Sequence, residues 1–262
     1  IWRIGSKLPV VMGISFTFVS AMMVYAAQDY GIMIGGIIVG GCIEGVLGLT
    51  VKYWRRFVAP IVSACVVTTI GFSLLSVGIN SYGASNAYGF GSWQNLLVGT
   101  ITLVTCLVYQ ALAKGFWKQL YVLAGLVVGY IAAICFGMVD FAQIGSTVSE
   151  LGVVSFPQLL HFTPKFELGA IVSITLVFFV SAAETIGDTT AVCSGGLGRD
   201  ITVRELSGSL ACDGFISAVS GGVFGCSPIT SFSQNVGLVA MTKVVNRFTI
   251  MFGAIALVLA GL

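Results

Sequence analysis

The stretch Ser227-Pro228-Ile229-Thr230-Ser231-Phe232-Ser233-Gln234-Asn235-Val236-Gly237-Leu238-Val239-Ala240-Met241-Thr242-Lys243 decides how the chain is laid out. It is too short and too polar for an ordinary bilayer span, which needs about 20 apolar residues. Its first part, Ile229 to Ser233, alternates apolar and polar side chains as an extended segment does. A short helix is expected from Val236 onward. An extended piece leaves backbone N–H and C=O groups unpaired, which lipid does not tolerate unless protein or a solvated cavity satisfies them. A second alternating piece, Ile14-Ser15-Phe16-Thr17-Phe18, has the same need. Each follows a proline, Pro228 or Pro9, and carries Ser-Phe. Pairing the two in the protein interior would satisfy both, and discontinuous segments of this kind mark the solute site of many transporters.

The rest of the chain is strongly apolar. Of 262 residues, 57% are hydrophobic and 8% charged, against about 25% charged in an ordinary soluble domain, and the mean hydropathy is +1.02. A water-soluble globule is excluded. The formal net charge of +2 is too small and scattered for a nucleic-acid groove. Apolar runs at about 8–27, 31–51, 57–79, 95–113, 119–139, 168–192, 206–224 and 247–262 predict membrane helices. If 227–243 crosses as a ninth segment, Lys and Arg divide eleven to one, with Lys165 alone on the poor face; together these are all 12 in the chain. By the positive-inside rule the rich face is cytoplasmic. The chain begins at Ile1 and stops within an apolar run, so it reads as a fragment of a longer protein.

Residues 140–167, with Pro157 and Pro164, read as a long connection between two halves, and Asn80–Gln94 as an external loop. The seven cysteines show no C-x-x-C or His spacing for a metal and read as buried packing residues. The single histidine, His161, falls in a loop. No cofactor is called for, and no Ser-His-acid set, metal cluster or nucleotide loop points to an enzyme.

Buried acids stand out. A carboxylate near the bilayer centre costs on the order of 3 kcal/mol and must be neutralised, paired or placed at a cavity. Glu184 and Asp188 are four apart and share one helix face with Thr185 and Thr189, a polar face with no basic partner. That arrangement is one way to build a proton-carrying site; a structural hydrogen bond is the alternative. Asp213 stands evenly between the two readings. Glu44, in a glycine-rich helix near Lys52, reads as a structural hydrogen-bonding group. Gln234 and Asn235 offer uncharged donors and acceptors suited to a flat, neutral solute, with Phe232 available to stack, or else they cap the broken helix.

At these residues the chain resembles the nucleobase/ascorbate transporter family, also called nucleobase:cation symporter-2. That family's signature is filled by Gln234-Asn235-Val-Gly237-Leu-Val-Ala-Met-Thr242-Lys243, with support from Glu184-Thr-Ile-Gly-Asp188, Asp213-Gly214 and Gly13-Ile-Ser15-Phe16. The resemblance implies an all-α polytopic fold of fourteen segments in two inverted repeats of seven, with short strands in two broken segments. It places this chain at segments three to eleven. Residues 1–56 and 168–262 would belong to a core domain, 57–139 to a gate domain that also forms a homodimer, and 140–167 to the connection between repeats. It further implies proton-coupled symport of xanthine or uric acid across the cytoplasmic membrane, with Glu184, Gln234, Asn235, Phe232, Ser233, Phe16 and Ser15 contacting the base. Proton coupling would fall to Glu184, Asp188 and Asp213. Gln234 in place of Glu implies the xanthine and uric acid branch rather than uracil. A polar residue that the family often carries on segment one lies outside the chain, and His161 does not replace it. The alternatives are a uracil or broad-range base permease and a proton-independent channel or anion exchanger of the same architecture.

Overall fold

Two extended pieces 217 residues apart in sequence meet as an antiparallel pair: β1 (Met12–Ile14) lies against β2 (Ile229–Ser231) in the register Met12↔Ser231, Gly13↔Thr230, Ile14↔Ile229. A computed structural model describes residues 5–55, 60–83, 88–141 and 158–261. Beyond the pair itself, the Ser15 N–H donates to the Pro228 carbonyl at 3.0 Å and the Phe232 N–H to the Val11 carbonyl at 3.0 Å. The backbone groups on the facing edges of the two extended pieces are thereby paired with each other.

The expected strand at 14–18 is displaced. β1 ends at Ile14, and Phe16–Phe18 form a single 3₁₀ turn whose first free N–H, that of Thr17, is accepted by the Ser15 hydroxyl at 3.2 Å. A serine followed by two bulky residues serves a cap as readily as a strand. This turn leads into α1 (Val19–Gln28). Likewise β2 leads into α10 (Ser233–Thr242), which starts three residues earlier than the sequence pattern indicated because Phe232 is its N-cap. Each broken segment is therefore a strand followed by a ten-residue half-helix.

The elements between are α2 (Tyr30–Leu49), α3 (Val51–Trp54), α4 (Pro60–Ser73), α5 (Leu75–Gly83), α6 (Trp93–Leu112), α7 (Tyr121–Cys135), α8 (Leu168–Val192) and α9 (Val203–Phe224); α11 (Arg247–Gly261) follows α10. The run expected at 57–79 is interrupted at Leu74, and α5 continues to Gly83, so Asn80 to Gly83 are helical rather than loop. Tyr30–Leu49, Trp93–Leu112 and the run from Leu168 to Leu197 are long and apolar enough to cross a membrane.

The chain divides into two units. Unit 1 comprises Ile1–Ser73 and Phe156–Gly261. In it α2 packs on α9 and α8, and the glycines of α2 explain how. A Cβ on Gly41 would sit 2.6 Å from the Gly214 carbonyl oxygen, and one on Gly45 2.7 Å from the Phe215 ring, so α2 and α9 touch backbone to backbone. Glycine costs a helix about 1 kcal/mol relative to alanine; here close packing offsets that cost. One apolar cluster joins Phe18, Met33, Ile34, Ile37, Ile174 and Phe178, with the rings of Phe18 and Phe178 edge to face at 4.6 Å. A second joins Val51 to Ala182, Ile186, Leu206 and Leu210. The N-terminus of α9 is closed by a capping box between Thr202 and Glu205, and its C-terminus by Gly225 at φ +68°.

Contacts within unit 1 sort its ends. Gly5 bonds Gly208 and the Lys243 ammonium reaches the Gly195 carbonyl at 2.7 Å, so residues 5, 195–208 and 243 share one end. At the other, Leu160 bonds Val223, Tyr30 bonds Gly225, and Lys165 pairs with Asp29. Residues 225–243 thus pass from one end to the other. One end gathers Lys7, Lys52, Arg55, Arg199, Arg204 and Lys243, and the other has Lys165, whose ammonium holds the Asp29 carboxyl below its usual range.

Unit 2 comprises Leu74–Ser155 with Leu262. Its α6 and α7 pack side by side where Gly125 and Gly129 face Thr102 and Cys106. The Asn95 amide donates to the carbonyls of Gly83 (2.9 Å) and Gly89 (3.2 Å), and fastens the start of α6 to the end of α5. Much of α6 and α7 presents leucine, valine and isoleucine outward, as a surface solvated by lipid does. Of the cysteines only Cys193 is buried, while Cys42, Cys65, Cys135 and Cys226 are exposed, contrary to the expectation that all seven would be buried.

Candidate functional site

The strand pair brings the expected residues toward one region of unit 1, and the α8 face supplies the acids. Glu184 is half-buried and accepts a hydrogen bond from the Thr17 hydroxyl at 2.9 Å. Thr17 sits in the turn that follows β1, so the broken first segment aims a donor at the carboxylate of α8. Thr17 also lines a cavity of about 430 Å³ whose other walls are Ile61, Val62, Cys65, Thr69, Ile70 and Ser73 of α4 and Val177 and Val180 of α8. That volume lies within the range of small-ligand sites, which are largely apolar with few polar groups.

Asp188, one turn along α8, is buried and held by the other broken segment. The Ser233 hydroxyl bonds its two carboxylate oxygens at 2.9 and 3.1 Å, and Ser231 donates to it at 3.1 Å. Asp213, on α9, is fully buried and accepts from the Thr185 hydroxyl. Thr185 also meets Thr230 of β2 at 3.2 Å, and Ser181 donates to Thr230 at 3.2 Å. The polar face of α8 is therefore matched, hydroxyl by carboxylate, against β2 and α9. A net hydrogen bond of this kind contributes about 1 kcal/mol, more when it serves a charge.

The remaining expected residues divide. Gln234 is exposed beside Ser233 at the start of α10. Asn235 is buried and donates its amide to the Pro9 carbonyl at 2.8 Å, across the two broken segments. The Phe232 ring packs against Gly13, where a Cβ would sit 2.6 Å from it. Ser15 is buried as the cap of the 3₁₀ turn, and Phe16 next to it is exposed. His161 is exposed in a loop with its ring edge-on to Phe162. Thr17, Thr185 and Ser231 were noted in the sequence but not assigned to the site. Their signal was there in the alternating pieces and in the threonines one turn apart on α8. Glu44 differs from its expected role: it is fully buried, and among the described residues neither carboxylate oxygen has a hydrogen-bond partner.

Paired broken segments, a cavity lined in part by Thr17, the donor to Glu184, and an apolar outer surface are features that membrane-embedded transporters share. The chain belongs to the Permease family, the nucleobase/ascorbate transporters, which it matches over residues 1–262. Among curated relatives, it is 35% identical over 276 residues to the uric acid permease PucK of Bacillus subtilis, covering 100% of this chain and 61% of that protein. It is 34% identical over 277 residues to the uric acid permease PucJ of the same organism, covering 99% and 58%. To the xanthine permease XanQ of Escherichia coli K12 it is 29% identical over 280 residues, again 99% and 58%. The chain therefore spans somewhat more than half the length of these relatives. They are permeases, not enzymes.

Proposed function

We propose that this chain is the substrate-carrying part of a proton-coupled purine permease of the cytoplasmic membrane, transporting xanthine, uric acid or both. The observation that carries the reading is the Thr17–Glu184 hydrogen bond at the edge of the cavity. Thr17, in the cavity wall, gives the Glu184 carboxylate behind it a fixed orientation, and the other carboxylate oxygen would serve a ligand. Glu184 and the exposed Gln234 would take opposite hydrogen-bonding edges of a flat base, with Phe232 or Phe16 against its face and Ser15, Ser233 and Asn235 shaping the backbone around it. Asp188 and Asp213 would join Glu184 in handling the proton. The relatives named for uric acid and xanthine support the purine branch.

In this reading the chain represents segments three to eleven of fourteen in two inverted repeats of seven, with β1 and β2 in broken segments three and ten. Residues 1–56 and 168–262 form the core, 57–139 part of the gate that carries the homodimer contact, and 140–167 the connection. The Lys- and Arg-rich end faces the cytoplasm. Base and proton together favour movement of the core past the gate. The test is Glu184→Gln in the full-length protein, which should abolish uptake while membrane expression persists. Normal proton-coupled uptake by that variant would overturn the proposal.

A further inference from the structure

Each half-helix is fastened to α8 at two points. The turn that opens α1 gives the Thr17 hydroxyl to Glu184, and toward the far end of α1 the Tyr25 hydroxyl lies 2.9 Å from the Ser173 hydroxyl and 3.2 Å from the Gly169 carbonyl. The start of α10 gives the Ser233 hydroxyl to Asp188, and just past its far end the Lys243 ammonium donates to the Gly195 carbonyl at 2.7 Å. These partners fix the directions. Along α1 they fall from Glu184 to Ser173, so α1 runs antiparallel to α8; along α10 they rise from Asp188 to Gly195, so α10 runs parallel to it. Both segments therefore begin at one turn of α8, Glu184 to Asp188, and run away from it in opposite directions. At about 1.5 Å per residue, the far fastenings lie roughly 16 Å and 10 Å along α8 from that turn.

The Lys243 contact has a local cause. Past Val192, α8 runs into a π-helical turn, Cys193–Leu197, and carbonyls at a helix end lack partners within the helix. A cation there satisfies one of them and complements the negative end of the helix dipole. The same turn carries Gly196, where a Cβ would sit 2.5 Å from Val239 Cγ1, so α10 rests directly on it. Lys243 itself ends α10 at φ +56°, a left-handed backbone that favours glycine. Glycine in its place would keep the helix end and lose the ammonium. Tyr25 is partly buried against the cluster of Phe18 and Phe178, so its ring is held by packing and its hydroxyl supplies the link to α8.

We infer that Tyr25 and Lys243 are positioning residues: by holding the far ends of α1 and α10 on α8, they set the gap between the starts of the two half-helices, and with it the preference for a two-ring over a one-ring base. The inference rests on the reading of Glu184 and Gln234 as the groups at opposite edges of the base. Glu184 is oriented by Thr17 in the turn that opens α1, and Gln234 is the second residue of α10, so the width left for a base is the distance between two helix starts. A helix held at one point rocks about it, and a second hold about two turns or more away removes that freedom. A gap of fixed width selects one ring size, whereas a gap that opens and closes admits narrower rings as well.

The test compares Lys243→Gly, Lys243→Arg and Tyr25→Phe with the wild type in the purified full-length protein. Amide hydrogen exchange is followed without base at Phe232 and Asn235 for the Lys243 variants and at Ser15 for Tyr25→Phe, because these N–H groups are bonded to the Val11, Phe232 and Pro228 carbonyls at the helix starts. Lys243→Gly should exchange faster at Phe232 and Asn235 with an unchanged unfolding midpoint, Lys243→Arg should match the wild type, and Tyr25→Phe should exchange faster at Ser15. Xanthine binding, measured by calorimetry, should weaken about fivefold in Lys243→Gly and in Tyr25→Phe, the size of one net hydrogen bond. Uracil, measured by displacement of xanthine, should lose less, so the preference for xanthine narrows. A purely structural role would lower the midpoint and leave that preference as it is. Wild-type exchange, or a wild-type preference, in both Lys243→Gly and Tyr25→Phe would overturn the inference. Should Tyr25→Phe fail to fold, Lys243→Gly decides by the same two readouts. Failure of the wild type to bind xanthine would count against the purine reading alone, and wild-type exchange in the variants would then still refute the two fastenings.

Discussion

Gly214→Ala isolates the contact that holds the core together. A Cβ at this position would lie 2.5 Å from the Gly41 carbonyl oxygen and 2.7 Å from Gly45 Cα, and nearer still to Gly45 N. Ordinary contact begins near 3.4 Å, so α2 and α9 would have to separate by at least about 0.9 Å. Every atom met is backbone, which cannot rotate away as a side chain can. Gly222→Ala is the matched control on the same helix: its Cβ would meet only the tip of Ile38, at 3.2 Å. Both changes gain about 1 kcal/mol of helix propensity. The difference between them is therefore the overpacking cost, about 1–3 kcal/mol. Thermal unfolding of the detergent-solubilised full-length protein, followed by size-exclusion chromatography, should give a lower midpoint for Gly214→Ala than for Gly222→Ala. Equal midpoints would refute the backbone-to-backbone packing of α2 and α9.

Three further outcomes follow from particular contacts. Thr17→Val removes the donor to Glu184 while keeping shape, and should weaken base binding about tenfold by calorimetry, the equivalent of one hydrogen bond to a charged group. Asn235→Leu leaves the buried Pro9 carbonyl unpaired and should destabilise the protein by about 1–3 kcal/mol in the same unfolding assay. Glu205 is held down to about 2 by the Arg199 guanidinium, with Thr202 adding to the effect. Its folded-state value lies below its unfolded one, so its contribution is fully present above about pH 4.5 and disappears as pH falls toward 2. The pair is at the surface and solvent-screened, so Arg199→Gln should lower the unfolding midpoint only slightly, and less still in high salt.

The sequence carried the broken segments because proline and period-two alternation leave a local trace. Pro228 and Ile229–Ser233 were enough to foresee that two extended pieces would pair, and the acids of α8 stood out against an apolar helix. Alternation over five residues does not separate a strand from a capped 3₁₀ turn, however, which is why β1 lies at Met12–Ile14 rather than at 14–18. The interruption at Leu74 has no glycine or proline to announce it. Thr17 is invisible as a site residue until the fold brings it to Glu184, 167 positions away. Glu44 was read as a structural hydrogen-bonding group because Lys52 is near it in sequence, but among the described residues its carboxylate oxygens have no hydrogen-bond partner.

The most direct test of the account is uptake of radiolabelled xanthine by cells carrying the full-length gene, with unlabelled uric acid, hypoxanthine and uracil as competitors, with and without a protonophore. Uptake should be abolished by the protonophore and blocked by excess xanthine or uric acid but not by uracil. Uptake blocked by uracil, or indifferent to the protonophore, would contradict it.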